Sequence, residues 1–119
     1  MSILKENPDN LEVQNPQFEI ENSQLPVLVD CFASWCGPCK MLSPIIQNIA
    51  KKYENKVRVI KVDIDEHEDF ASNYGIMSIP TILFFSKREL VRTEVGFKPE
   101  SQISDIIDKV LLSTNEDVR

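Results

Sequence analysis

The apolar positions of the chain change period several times between residues 25 and 112. The run LPVLVDCFA (25–33) is short, β-branched and almost wholly apolar, the pattern of a buried strand. The period then switches. Leu42, Ile45, Ile46, Ile49 and Tyr53 recur at i, i+3, i+4, i+7 and i+11, which predicts an amphipathic helix over about 37–53, with Pro44 inside it expected to introduce a kink. KVRVIKVDI (56–64) predicts a second buried strand, and an acidic helix follows over about 66–74 that Gly75 can end. PTILFF (80–85) and ELVRTEV (89–95) predict a hairpin closed through Ser86–Arg88. A last helix starts near Pro99, a proline of the kind found at the first helical position, and carries Ile103, Ile106, Ile107, Val110 and Leu111 on one face. The order strand, helix, strand, helix, hairpin, helix predicts an α/β fold: a central mixed β-sheet flanked by helices on both faces.

Length adds that one core accounts for the whole chain, since 119 residues leave no room for a second domain. The polar segment 1–15 and the polar tail 113–119 are expected to fray around a domain at 16–112. The formal net charge of −6 argues against nucleic acid as a partner, which calls for clustered Lys and Arg, and against an anionic membrane. MSILKENPDNLEVQNPQ (1–17) has neither the apolar stretch of a secretory signal nor the length of a membrane span, so a cytoplasmic location is expected.

The candidate chemistry lies in CFASWCGPCK (31–40), where three cysteines fall within nine residues. Cys36 and Cys39 could be a metal clip, a structural staple or a redox pair. A zinc knuckle needs four ligands, and the only other candidates, Cys31 and His67, form no second pair. A permanent disulfide across so short a loop removes little entropy from the unfolded chain. At a strand-to-helix junction, however, the first cysteine meets unpaired N–H groups and the positive end of the helix dipole, which favour its thiolate. The second lies one turn on, within disulfide reach, with Gly37 and Pro38 forming the turn between them. Redox cycling is the use that exploits this geometry. Asp30, six residues before Cys36 in an apolar strand, is costly to bury as a bare charge and so calls for a partner or a proton. The acidic run DIDEHED (63–69), which contains His67, lacks the glycine and terminal glutamate of a calcium loop and reads as a solvated helix start.

WCGPCKMLSP (35–44) resembles the active-site signature of the thioredoxin family. VIKVDID (59–65), YGIMSIPTILFF (74–85) and EVG (94–96) follow in the family's order, so the resemblance covers residues 25 to about 112. It implies a thioredoxin fold and a protein-disulfide reductase, a reductant with a potential of about −270 mV rather than an oxidase. In that reading Cys36 is the nucleophile, Cys39 the resolving thiol, and Asp30 the buried group that helps deprotonate Cys39, with Lys61 beside it. Pro80 is expected to be cis, with the Ile79 backbone open to an extended substrate. Trp35, Gly37, Pro38, Ile64, Ile79, Pro80, Val95 and Gly96 would form an apolar substrate patch around Cys36. Lys40 either adds positive potential near the site or is simply solvated, and Met77 borders the groove. No bound cofactor is implied; reducing equivalents would come from NADPH through thioredoxin reductase. The expected partners are that reductase and disulfide-containing proteins, with the chain itself a monomer. The alternative is a binding or scaffold module on the same fold, for which neither cysteine would be needed.

The chain also departs from the family pattern. Cys31 stands where an aromatic residue is frequent and is expected to be buried filler. Phe32 replaces a frequent Trp, SKRE (86–89) lacks the usual hairpin turn pair, and the segment before residue 25 is short for a first strand and helix.

Overall fold

The computed structural model describes residues 10–117, with side chains to residue 113. Its elements run α1 (Pro16–Glu21), β1 (Val27–Phe32), α2 (Gly37–Lys52), β2 (Arg58–Asp63), α3 (Glu68–Asn73), β3 (Thr81–Ser86), β4 (Glu89–Val95) and α4 (Glu100–Asp117). The four strands form one mixed sheet in the order β2-β1-β3-β4, in which β1 runs parallel to β2 and antiparallel to β3.

Strand alternation divides the core between the two faces. Leu28, Val59, Ile82 and Phe84 face one layer, where Leu42, Ile46 and Ile49 of α2 pack with Ile103, Ile106 and Ile107 of α4. Val27, Val29, Cys31, Ile60, Val62, Leu83 and Phe85 face the other, covered by Ile20 of α1 and Phe70 of α3. β1 and β3 are buried on both faces, which is why their sequences read as continuous apolar runs rather than alternating ones. The Tyr53 hydroxyl joins α2 to α4 by donating to Asp108 Oδ1 at 2.8 Å. α2 passes through the exposed Pro44 as one continuous helix, so the proline costs a hydrogen bond at the Lys40 carbonyl without ending the element.

The segment expected to fray up to residue 15 is held in place from residue 10 on; residues 1–9 lie outside the described residues. The Lys61 N–H donates to the Leu11 carbonyl at 2.9 Å, and Glu12 forms a parallel bridge with Lys61. Leu11 packs into the α2/α4 layer and Val13 into the α1/α3 layer, so three residues behave as a short strand that covers the outer edge of β2. Asn15 then caps α1, its side chain accepting from the Phe18 N–H at 3.1 Å. A first strand and helix are thus present in miniature. At the other end α4 continues to Asp117, past the tail expected from residue 113, while residues 118 and 119 lie outside the described residues.

The β3–β4 hairpin closes over two residues, Lys87 and Arg88, both with positive φ (54° and 72°). This is the backbone of the tight hairpin turn that normally selects Asn-Gly. The Arg88 Nε donates to the Glu21 carbonyl at 3.0 Å, which supplies a tertiary reason for a side chain there.

Candidate active site

β1, β2 and β4 end, and β3 begins, at the same edge of the sheet, and the residues singled out above collect there. Cys36 is the N-cap residue of α2, with extended backbone (φ −92°, ψ 114°). Its Sγ accepts the Cys39 N–H at 3.2 Å, and Cys36 and Cys39 are joined as a disulfide with Cα atoms 5.3 Å apart. The sulfur of Cys36 therefore sits where the helix presents its unpaired N–H groups, an environment that stabilises negative charge once the bond is opened. Pro38 lies in the first helical turn, where its missing N–H would have had no partner, and Gly37 leaves the approach open. Both cysteines are nearly buried, at 5 % and 3 % exposure, and pack with Ala33, Phe32, Ile64 and Ile79.

Around this pair the surface is only partly uncovered: Ile64 and Ile79 are half-buried and Pro80 is buried, while Trp35, Gly37, Pro38 and Val95 are exposed. Trp35 is 68 % exposed and its Nε1 donates to Asp65 Oδ2 at 2.8 Å, which fixes the indole beside the cysteines. The Ile79–Pro80 bond is cis, and the Pro80 carbonyl accepts the Gly96 N–H at 2.8 Å. Gly96 has a φ of 93°, a conformation available at low cost only to glycine. Val95 is exposed at the end of β4, where it pairs with Thr81. In sequence, Met77 (94 % exposed) and Phe97 (41 %) flank Ile79 and Gly96. Lys40 is exposed on α2.

Asp30 is wholly buried on β1, and neither carboxylate oxygen has a hydrogen-bond partner among the described residues. Burial pushes its pKa from 3.8 up to about 7, with the Lys61 charge pulling the other way. Lys61 is its register partner on β2. The ammonium nevertheless binds elsewhere, donating to Ser43 Oγ at 2.8 Å and lying 4.6 Å from the centre of the Phe32 ring. Cys31 is fully buried in the α1/α3 layer, as expected of filler; burial, reinforced by the neighbouring Asp30 charge, pushes its thiol far up and keeps it protonated.

The sequence reading did not single out Ser43 or Asp65. Ser43 is one of several polar positions beside the apolar stripe of α2, which is no signal of its own. Asp65 is one acid among several in a run. Asp63 Oδ1 accepts the Asp65 N–H at 2.9 Å, which shapes the turn leading into α3. His67 lies at the cap of that helix without a side-chain capping hydrogen bond.

Comparison with known proteins agrees with this geometry. The thioredoxin family model matches residues 8–109. A thioredoxin of Bacillus subtilis is 39 % identical over 101 residues, which span 85 % of this chain and 97 % of that protein. A thioredoxin of Rickettsia felis is 50 % identical over 91 residues, 76 % of this chain and 87 % of the relative. Thioredoxin 1 of Synechococcus elongatus is 45 % identical over 93 residues, 78 % and 87 % respectively.

Proposed function

The chain belongs to the thioredoxin family and is a protein-disulfide reductase, and we infer from that membership how its residues divide the work. Cys36 attacks one sulfur of a substrate disulfide as thiolate; that S–S bond breaks, and the other substrate sulfur leaves and takes up a proton. A mixed disulfide now joins Cys36 to the substrate. Cys39 then attacks the Cys36 sulfur as thiolate, closes the intramolecular disulfide and releases the second substrate thiol. Two electrons pass from the Cys36–Cys39 dithiol to the substrate.

The placement of Cys36 at the N-cap of a sixteen-residue helix is the observation that carries this reading, because it favours the thiolate. Asp30 takes the proton that Cys39 must lose: a carboxyl raised to about 7 is partly ionised at neutral pH and can accept it. Lys61 tempers that basicity through its charge. Trp35, Gly37, Pro38, Ile64, Ile79, Pro80, Val95 and Gly96 make the docking surface. Among the described residues, no hydrogen bond engages the Ile79 backbone, which leaves it open to pair with an extended substrate. Recycling falls to a thioredoxin reductase that draws on NADPH. The protein works as a cytoplasmic monomer. Among the described residues, no helix is long and apolar enough to cross a membrane.

Insulin reduction tests the division of labour. Cys36→Ser should abolish turnover, while Cys39→Ser should accumulate a mixed disulfide with the substrate, detectable by intact mass. Turnover in Cys36→Ser, or trapping at Cys39 in that variant, would reverse the roles.

A further inference from the structure

Asp30 and Lys61 are paired in register on neighbouring parallel strands. Their strand neighbours Leu28 and Val59 both pack into the α2/α4 layer, so Asp30 and Lys61 project onto that same face. An unpaired buried carboxyl beside a lysine would ordinarily draw the ammonium into contact. Here it does not. Both carboxylate oxygens are without partners, and the ammonium is held by the Ser43 hydroxyl on α2 and the Phe32 ring at the end of β1.

We propose that Ser43 is a positioning residue: by holding the Lys61 ammonium against Phe32, it keeps that cation off the Asp30 carboxylate and so leaves the carboxyl able to hold a proton. The proposal rests on the reading of Asp30 as acceptor of the Cys39 proton. A direct ion pair would keep Asp30 ionised and make it a poor base near neutrality, because an adjacent opposite charge lowers a carboxyl by about one to three pH units.

Among the described residues, the other elements around Asp30 offer no competing charge. β3 presents Ile82, its register partner, and α4 contributes Ile103 and Ile106 to the layer. α2 brings the buried Cys39, tied up in the disulfide, and the Ser43 hydroxyl. On β2, Asp63 lies two residues beyond Lys61, and its Oδ1 accepts the Asp65 N–H. Lys61 is therefore the cation that decides the matter, and Ser43 decides where Lys61 sits.

The test is an NMR titration of the Asp30 carboxyl carbon in the full-length protein with its disulfide closed, so that neither Cys36 nor Cys39 titrates. In Ser43→Ala the released ammonium moves onto Asp30, and the midpoint falls by about one pH unit or more. Ser43→Thr, which keeps the hydroxyl, should titrate as the wild type does. With Lys61→Met in the background, Ser43→Ala should leave the midpoint where it was. An unchanged or raised midpoint in Ser43→Ala, or an equal fall without Lys61, would overturn the proposal. A merely structural hydrogen bond would lower unfolding stability without moving the midpoint. Because the titration reads the carboxyl itself, its outcome is separate from whether Asp30 takes part in turnover, which Asp30→Asn kinetics decide.

Discussion

The indole N–H of Trp35 donates to Asp65 Oδ2 at 2.8 Å, which ties the loop before Cys36 to the loop after β2. Trp35 is two-thirds exposed, so its own packing does little to fix it and this bond selects its orientation. Asp65→Ala should free the ring. A hydrogen bond of this kind contributes about 1 kcal/mol, so KM for a protein disulfide should rise roughly fivefold with kcat little changed. Trp35 is the only tryptophan in the chain, and its fluorescence reports the change directly. An unaltered spectrum and KM would mean that the contact is idle.

Asp30 gives a signed pH dependence. Its carboxyl titrates at about 7 in the folded chain against an ordinary value of 3.8. Between those pH values the folded state holds a proton that the unfolded state has lost. The residue therefore makes folding less favourable as pH rises through that window, by on the order of 4 kcal/mol once both states are ionised. Asp30→Asn, which stays neutral, should be more stable than wild type at pH 8 and no more stable at pH 3, as read from urea midpoints. It should also reduce disulfides at least about tenfold more slowly at neutral pH. A stability gain independent of pH, or an unchanged rate, would count against the assignment.

Leu11 is buried in the α2/α4 layer although it comes from a polar-looking segment. Leu11→Ala should cost about 2–3 kcal/mol in urea unfolding while leaving the Cys pair's activity in the folded protein intact. A cost near zero would mean that the segment detaches freely.

Lys87 and Arg88 both occupy a backbone region that side chains with a Cβ adopt at a cost of about 1–2 kcal/mol per residue. Exchanging the pair for Asn-Gly removes most of that cost and forfeits the bond from Arg88 to the Glu21 carbonyl. The expected net gain is about 1 kcal/mol, or roughly 4 °C in Tm by calorimetry. A lower Tm would show that the tertiary bond outweighs the turn.

These cases also mark where sequence and structure part. Periodicity located β1, β2, the hairpin, α2 and the start of α4 to within about two residues because each buries a continuous stripe or run. Leu11 and Val13 escaped notice, since a strand of three residues shows no period and stands out only once β2 offers it an edge. The helical limit of α4 was equally invisible: STNED (113–117) carries no apolar signal, and the helix simply continues. The cysteine pair and Asp30 were legible because each is chemically out of place in its local pattern. Ser43 and Asp65 were not, because their partners, Lys61 and Trp35, lie 18 and 30 residues away in sequence.

The alternation of β1 has a consequence for how the molecule meets oxidants. Three cysteines can pair in three ways, and three so close together invite scrambling. Cys31, however, lies under α1 and α3, while Cys39 sits on a helix packed against the opposite side of the sheet. The strand acts as a partition between thiols only a few residues apart. Full oxidation should therefore yield one disulfide isomer, visible as a single cross-linked peptide in a digest, and the protein can cycle without a third sulfur short-circuiting the exchange.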